Sequence, residues 1–142
     1  MSIADNKIIA KLQALDEYLE YLKDLQKANK KSFLADYHQF GLGEHYLHLS
    51  IEVLLDVSKL IVIAYGFPRP EENRDVFRVL HDKRVISEKL YNQVAGISSF
   101  RNVLIHEYEK IDRVRVYEYL QHDIDQFKEF KRQVLRLIGK KK

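Results

Sequence analysis

The sequence predicts an all-α protein, a small up-and-down bundle of about five helices that forms one domain over residues 1–142. The chain has only 5 Gly and 2 Pro, which favours long helices over a turn-rich β-fold. Apolar residues recur at spacings of three and four, the period of an amphipathic helix. With 46% apolar and 32% charged residues, the composition is typical of a folded domain and argues against disorder.

The first predicted helix covers residues 3 to about 29. Its apolar residues form a heptad seam: Ile8, Leu12, Leu15, Leu19 and Leu22. After it, Lys30 and Lys31 indicate a turn, with Ser32 as a possible N-cap of a helix that starts at Phe33. Gly41 and Gly43 make a break near them possible, so this boundary stays open.

The next predicted helix, from His45 to Tyr65, is apolar around almost its whole circumference. This pattern predicts a buried helix, covered by its own bundle and by a second subunit, and Gly66 followed by Pro68 predicts its end. Polar residues recur along it at helical spacing: His45, His48, Glu52 and Asp56. They could hold a metal, but without a second ligand set nearby we favour a polar stripe that faces a cleft or a dimer partner.

Three more helical stretches follow. A short helix is predicted from Asn73 to Asp82, and Ser87 is a good N-cap for a longer helix that reaches about residue 104. That helix contains a run of small residues: Ala95, Gly96, Ser98 and Ser99. We expect two backbones to cross closely there on a two-fold axis, with a kink as the alternative. Asp112 is predicted to cap the last helix, whose apolar seam reaches Ile138.

The charge is unevenly distributed. The net charge is only +3, but Lys128 to Lys142 contains seven Lys or Arg against one Glu, so this segment carries +6 and the remainder −3. A basic end could approach nucleic acid. A solvated helix end that complements the helix dipole is the simpler explanation.

Composition also limits the function classes. Because Cys is absent, disulfides, thiol catalysis and cysteine zinc sites are excluded. No N-terminal apolar run resembles a signal peptide, and no segment is long and apolar enough to span a membrane. We therefore expect a cytoplasmic protein with no membrane partner.

The stretch from Phe100 to Asp112 carries the residues best suited to chemistry. Arg101 has a planar fork of donors that matches a phosphate, and His106 can exchange a proton near neutral pH. Asn102 can donate to a phosphate oxygen or orient the histidine, and Tyr108 offers a hydroxyl and a flat ring. A phosphate clamp beside a proton shuttle is what RNA cleavage by the neighbouring 2′-hydroxyl requires, without a metal.

The spacing of the pair constrains its geometry. On one continuous helix, Arg101 and His106 would point about 140° apart, so we expect the helix to end near residues 104–108. Cleavage needs an acid as well as a base, and a two-fold dimer would supply a second copy of each residue. By spacing alone, a surface arginine and a capping histidine explain the pair better than a nuclease does. Tyr108 could equally be an aromatic anchor for the last helix.

The stretch resembles the signature of the HepT toxin branch of the HEPN superfamily. That signature is Arg, a polar residue, three mostly apolar residues and then His-x-Tyr, and the run from Arg101 to Tyr108 matches it without departure. The similarity extends from about Gly43 to Phe130, where Glu52 and Asp56 resemble positions of the family's central helix.

This resemblance implies an all-α homodimer that acts as a metal-independent endoribonuclease toxin of a type VII-like toxin–antitoxin system, without a cofactor. Arg101 and His106 of both subunits would cleave an RNA substrate in a cleft at the interface, with Asn102 orienting one of them. The partner would be a cognate minimal nucleotidyltransferase antitoxin, which attaches AMP to Tyr108. The alternative is a non-catalytic nucleotide- or substrate-binding partner of a nucleotidyltransferase, in which Arg101 and His106 bind a nucleotide or hold the dimer.

Overall fold

A computed structural model of the protein describes residues 2–72, 75–105 and 112–140. These residues are mostly helical and include no β-strand, so the all-α prediction is confirmed. The helices, in chain order, are α1 (Ile3–Leu25), α2 (Lys30–Ala35), α3 (Tyr37–Ala64), α4 (Val76–Asp82), α5 (Glu88–Val94), α6 (Ile97–Ile105), α7 (Arg113–His122) and α8 (Asp125–Lys140). Their number exceeds the five or so predicted because some of the predicted helices are divided.

Helix α1 packs along α3 through the predicted seam. All five seam residues are at most 5% exposed: Ile8, Leu12, Leu15, Leu19 and Leu22. A capping box starts the helix, since Ser2 Oγ accepts from the Asp5 N–H at 3.0 Å and the Asp5 carboxylate accepts from the Ser2 N–H at 3.4 Å. The helix ends at Leu25, a few residues earlier than predicted.

The predicted N-cap at Ser32 is wrong. Asn29 caps α2 instead, because its Oδ1 accepts from the Ser32 N–H at 2.8 Å. Asp36 then caps α3 by accepting from the His38 N–H at 2.9 Å, and α3 passes through both glycines without a break. At Gly43 the missing side chain makes room for Phe33, because a Cβ there would lie 3.0 Å from the Phe33 ring.

Helix α3 is the centre of the bundle and contacts α1, α2, α4, α6, α7 and α8. Several of its apolar side chains are fully buried within a single chain, among them Leu47, Ile51 and Leu54. The helix ends where Gly66 predicts, with φ +66°. The Phe67 N–H donates to Val62 O at 3.0 Å, which is the hydrogen bond of a Schellman motif that spans more residues along the chain.

The second half of the chain follows most of the predicted boundaries. Ser87 caps α5 by accepting from the Leu90 N–H at 3.1 Å, and Asp112 caps α7 by accepting from the Arg115 N–H at 3.1 Å. The helix predicted from Ser87 is divided at residues 95–96, which favours the kink; the two-fold crossing stays a prediction. The last predicted helix is divided at residues 123–124. Within the described ranges, no helix is long and apolar enough to cross a membrane.

Candidate functional site

Arg101 lies on α6 and forms an ion pair with Glu52 on α3. Its Nε donates to Glu52 Oε1, and the two side chains are 30% and 29% exposed. The preceding residue, Phe100, is 2% exposed and anchors this part of α6 in the core. Solvent therefore reaches the ion pair although the backbone that carries Arg101 is fixed by packing.

His48 adds a third residue to this pair. It lies one turn before Glu52 on α3, and its Nε2 is 3.4 Å from the same Oε1 that accepts from Arg101. One carboxylate oxygen thus faces a guanidinium and an imidazole. We call Arg101, Glu52 and His48 the Arg101 cluster.

Glu52 occupies one edge of the Arg101 guanidinium. Within the part of the chain that the structure describes, the hydrogen bond is through Nε, and neither Nη1 nor Nη2 donates a hydrogen bond. The edge formed by Nη1 and Nη2 is the one that can bind two oxygens of a phosphate in parallel. Glu52 therefore holds Arg101 while leaving two donors for an anion.

The rest of the polar stripe on α3 has other neighbours. Asp56, one turn after Glu52, lies 3.4 Å from Lys11 Nζ on α1. His45 is exposed and packs edge-on against Tyr46, with ring centroids 5.0 Å apart. His48 and Glu52, in the middle of the stripe, belong to the Arg101 cluster, and that the stripe faces a cleft or a dimer partner stays a prediction. Among the described residues, no group of three His, Asp or Glu could hold a metal ion.

Helix α7 supports α6 from another side. Tyr119 stacks on Phe100 with ring centroids 4.3 Å apart and planes 10° apart. Burial raises the pKa of the Tyr119 hydroxyl far above its ordinary value, so it stays neutral. Two α7 guanidinium groups cover aromatic rings: Arg115 Cζ is 5.3 Å from the Phe100 centroid, and Arg113 Cζ is 3.8 Å from that of Phe40. The contacts of Tyr119 and Arg115 with Phe100 hold α6 against α7, whereas Arg113 lies against Phe40 on α3.

The other predicted site residues are Asn102, His106 and Tyr108. Asn102 is exposed on α6, next to Arg101. His106 and Tyr108 lie outside the described residues, so their roles stay predictions. The sequence pattern does not assign Glu52 and His48 to the site, because the contact between Glu52 and Arg101 joins positions 49 apart in the chain.

The chain matches known proteins over most of its length. Residues 15–134 match the family model described as Ribonuclease HepT-like. A protein named tRNA nuclease HepT, from Aphanizomenon flos-aquae, is 25% identical over 127 residues, which cover 89% of this chain and 86% of that protein. A protein named mRNA nuclease HepT, from Shewanella oneidensis, is 24% identical over 79 residues, which cover 56% of this chain and 59% of the relative.

Solved structures share the fold. The tri-AMPylated Shewanella oneidensis HEPN toxin, in complex with MNT antitoxin, gives a TM-score of 0.84 at 19% identity, over 96% of this chain and 99% of that one. YutE from Bacillus subtilis, a cytosolic protein of unknown function, gives 0.82 at 17% identity, over 96% and 92%. At these identities the likeness shows the fold alone. The family model, however, spans the whole Arg101 cluster within residues 15–134, and the chain therefore belongs to the ribonuclease HepT-like family.

Proposed function

We propose that this protein is a metal-independent endoribonuclease toxin of a toxin–antitoxin system. The observation that carries the proposal is the Arg101 cluster: a partly exposed guanidinium that Glu52 holds by one edge, with Nη1 and Nη2 donating no hydrogen bond to any described residue. His106 follows five residues later in the sequence. Two relatives are named as nucleases of tRNA and of mRNA, which supports RNA as the substrate class.

In the proposed reaction, the free Nη donors of Arg101 bind the nonbridging oxygens of the scissile phosphate. They stabilise the charge that builds up as the phosphorane forms. His106 takes the 2′ proton, the 2′ oxygen bonds to phosphorus, and the bond from phosphorus to the 5′ oxygen breaks. A second acid protonates that leaving oxygen, so the products are a 2′,3′-cyclic phosphate and a 5′-hydroxyl. Asn102 donates to the phosphate or orients His106.

A homodimer would supply the second acid. One chain provides one Arg101 and one His106, and a two-fold interface repeats every residue. We therefore propose a cleft at the dimer interface, in which His106 of one subunit acts as base and that of the other as acid. The exposed edge of Arg101 supports this, because a dimer partner or RNA can reach it without disturbing the core.

We also propose that a cognate minimal nucleotidyltransferase antitoxin inhibits the protein by adenylylating Tyr108. The solved toxin that is tri-AMPylated and bound to MNT antitoxin supports this regulation. Tyr108 lies two residues after His106 in the sequence. An AMP group there would add a bulky nucleoside and a negative charge close to the place proposed for the RNA phosphate.

The decisive experiment is RNA cleavage by unmodified protein in EDTA, beside Arg101→Ala and His106→Ala made in the same way. We expect cleavage that leaves 2′,3′-cyclic phosphate ends and is lost in both variants. Cleavage that EDTA abolishes would refute metal independence. If protein whose intact mass shows Tyr108 unmodified cleaves neither tRNA nor mRNA, the nuclease proposal fails in favour of a nucleotide-binding partner.

A further inference from the structure

A second groove with unpaired cations lies on other helices than the Arg101 cluster. It has a volume of about 520 Å³ and lies between residues 81–89 and one face of α8. Three of its side chains, Arg84, Lys89 and Arg136, are exposed and make no hydrogen bond or ion pair within the described part of the chain. We call this space the α8 groove.

The acidic residues of the α8 groove only partly balance these cations. Glu129 is already engaged, because it accepts from Arg132 and, at 2.8 Å, from Gln133 Nε2. Those hydrogen bonds lower the pKa of Glu129 to about 2. Glu88 is the other carboxylate that lines the groove. Arg136 also acts on Glu129 through its charge, and the described lining holds four Arg or Lys against two Glu. This excess of positive charge favours an anionic ligand.

Arg84 occupies a backbone conformation that suits glycine better. Its φ is +61°, and among the described residues it is the only residue other than glycine with a positive φ. It ends α4 in a Schellman motif, since its N–H donates to His81 O at 3.0 Å and the Val85 N–H to Leu80 O at 2.8 Å. Glycine would fit there without strain, so an arginine at this position indicates a use for its side chain.

A neighbouring cavity of about 350 Å³ shares Ser87, Lys89, Glu129 and Gln133 with the α8 groove. Gln93 and Asp125 also line it, and both side chains are exposed. The Gln93 amide and the Asp125 carboxylate can hydrogen-bond with a base or a ribose hydroxyl. The groove therefore adjoins a polar cavity of a size suited to one nucleoside.

We propose that the α8 groove binds RNA away from the scissile phosphate, with backbone phosphates on Arg84, Lys89 and Arg136 and one nucleoside beside Gln93. The proposal rests on the proposed ribonuclease function and extends it with a second contact to the substrate. RNA fits better than an acidic protein segment, because the site combines cations for phosphates with a polar cavity for a nucleoside. Residues 128–142, which include most of α8, also carry +6.

The test is the salt dependence of RNA binding, measured with labelled single-stranded RNA and His106→Ala protein so that cleavage does not interfere. In this background, Arg84→Gly with Arg136→Gln removes two cations, and glycine keeps the backbone conformation of residue 84. Two lost phosphate contacts should reduce the slope of log K, the RNA association constant, against log salt concentration by about 1.4. At 0.1 M salt this change corresponds to a loss of about 25-fold in affinity. Lys7→Gln with Lys23→Gln, two exposed cations on α1, is the matched control.

A slope equal to that of the Lys7/Lys23 control would overturn the proposal. The proposal would also fail if the Arg84/Arg136 variant bound RNA normally but no longer bound a nucleotidyltransferase. The groove would then be a protein-docking surface. Gln93→Leu should weaken RNA binding without changing the slope, because Gln93 is uncharged and lines the cavity proposed for the nucleoside. The proposed function is tested separately, by whether wild-type protein cleaves RNA. If the slope changes as expected but RNA is not cleaved, RNA binding in the α8 groove is supported and the ribonuclease proposal is refuted.

Discussion

Glu52→Ala should lower kcat for RNA cleavage by about 10- to 30-fold without unfolding the protein. Glu52 accepts a charge-assisted hydrogen bond from Arg101 Nε, a class of bond that contributes about 1.5–3 kcal/mol. Both side chains are about 30% exposed, so solvent screening places this bond near the lower end of that range, at about 1.5–2 kcal/mol. If that energy is lost from the positioning of the phosphate clamp, each 1.36 kcal/mol corresponds to about tenfold in rate.

The loss should appear in kcat rather than in KM. Glu52 is an anion, so its removal makes the site more positive and does not weaken the attraction of Arg101 for RNA. KM should therefore stay constant or fall, a separation that a general loss of folded protein would not produce. Glu52→Gln keeps an oxygen that can accept from Arg101 Nε, and we expect it to restore most of kcat.

Asp56→Ala is the matched control for this prediction. Asp56 lies one turn further along α3, and its pair with Lys11 is exposed, with side chains 41% and 42% accessible. Exposed pairs contribute about 0–1 kcal/mol, so this variant should keep kcat within about twofold. If Glu52→Ala cleaves RNA as fast as wild type while Arg101→Ala does not, the positioning role of Glu52 is refuted.

Three further predictions concern stability, each measured by chemical unfolding. Gly43→Ala should destabilise the protein by about 1–2 kcal/mol, because the new Cβ would lie 3.0 and 3.2 Å from two atoms of the Phe33 ring. Gly41→Ala should stabilise it by about 1 kcal/mol, because no atom lies within 4 Å of the new Cβ. Equal effects of the two substitutions would refute the packing argument. Asp112→Ala should cost about 1 kcal/mol through loss of the α7 N-cap, and Asp112→Asn should restore most of it. The pKa of Glu129 is lowered from 4.5 to about 2, so its contribution is complete above pH 4.5 and is lost as the pH falls towards 2. Glu129→Gln should therefore flatten the pH dependence of unfolding in that window, and an unchanged profile would contradict this.

The sequence predicts best the features that depend on neighbouring residues. The seam from Ile8 to Leu22 is buried because a spacing of three and four places apolar side chains on one face of any helix. Ser87, Asp112 and Gly66 end or begin helices as predicted, since a cap needs only the backbone a few residues away. Such features depend on local sequence and not on how the helices pack.

Features that depend on packing were predicted less well. Asn29 and Ser32 are both good N-caps and lie three residues apart, so local rules do not choose between them. The choice depends on Phe33, which is fully buried and packs against Gly43 on α3. That contact joins two helices, and no spacing within either helix predicts it.

The same reasoning explains why the partner of Arg101 could not be predicted. The sequence places Glu52 on a polar stripe, but the pairing depends on how α3 is rotated relative to α6. The ion pair between Arg101 and Glu52 also helps to distinguish a functional Arg101 from an ordinary surface arginine. Fixing an arginine costs up to about 2 kcal/mol of side-chain entropy, which is about as much as its hydrogen bond to Glu52 contributes, so anchoring Arg101 in this way gains little in stability. An arginine that binds phosphate gains in affinity, because its side chain is already ordered before RNA binds and the binding step no longer includes that entropy cost.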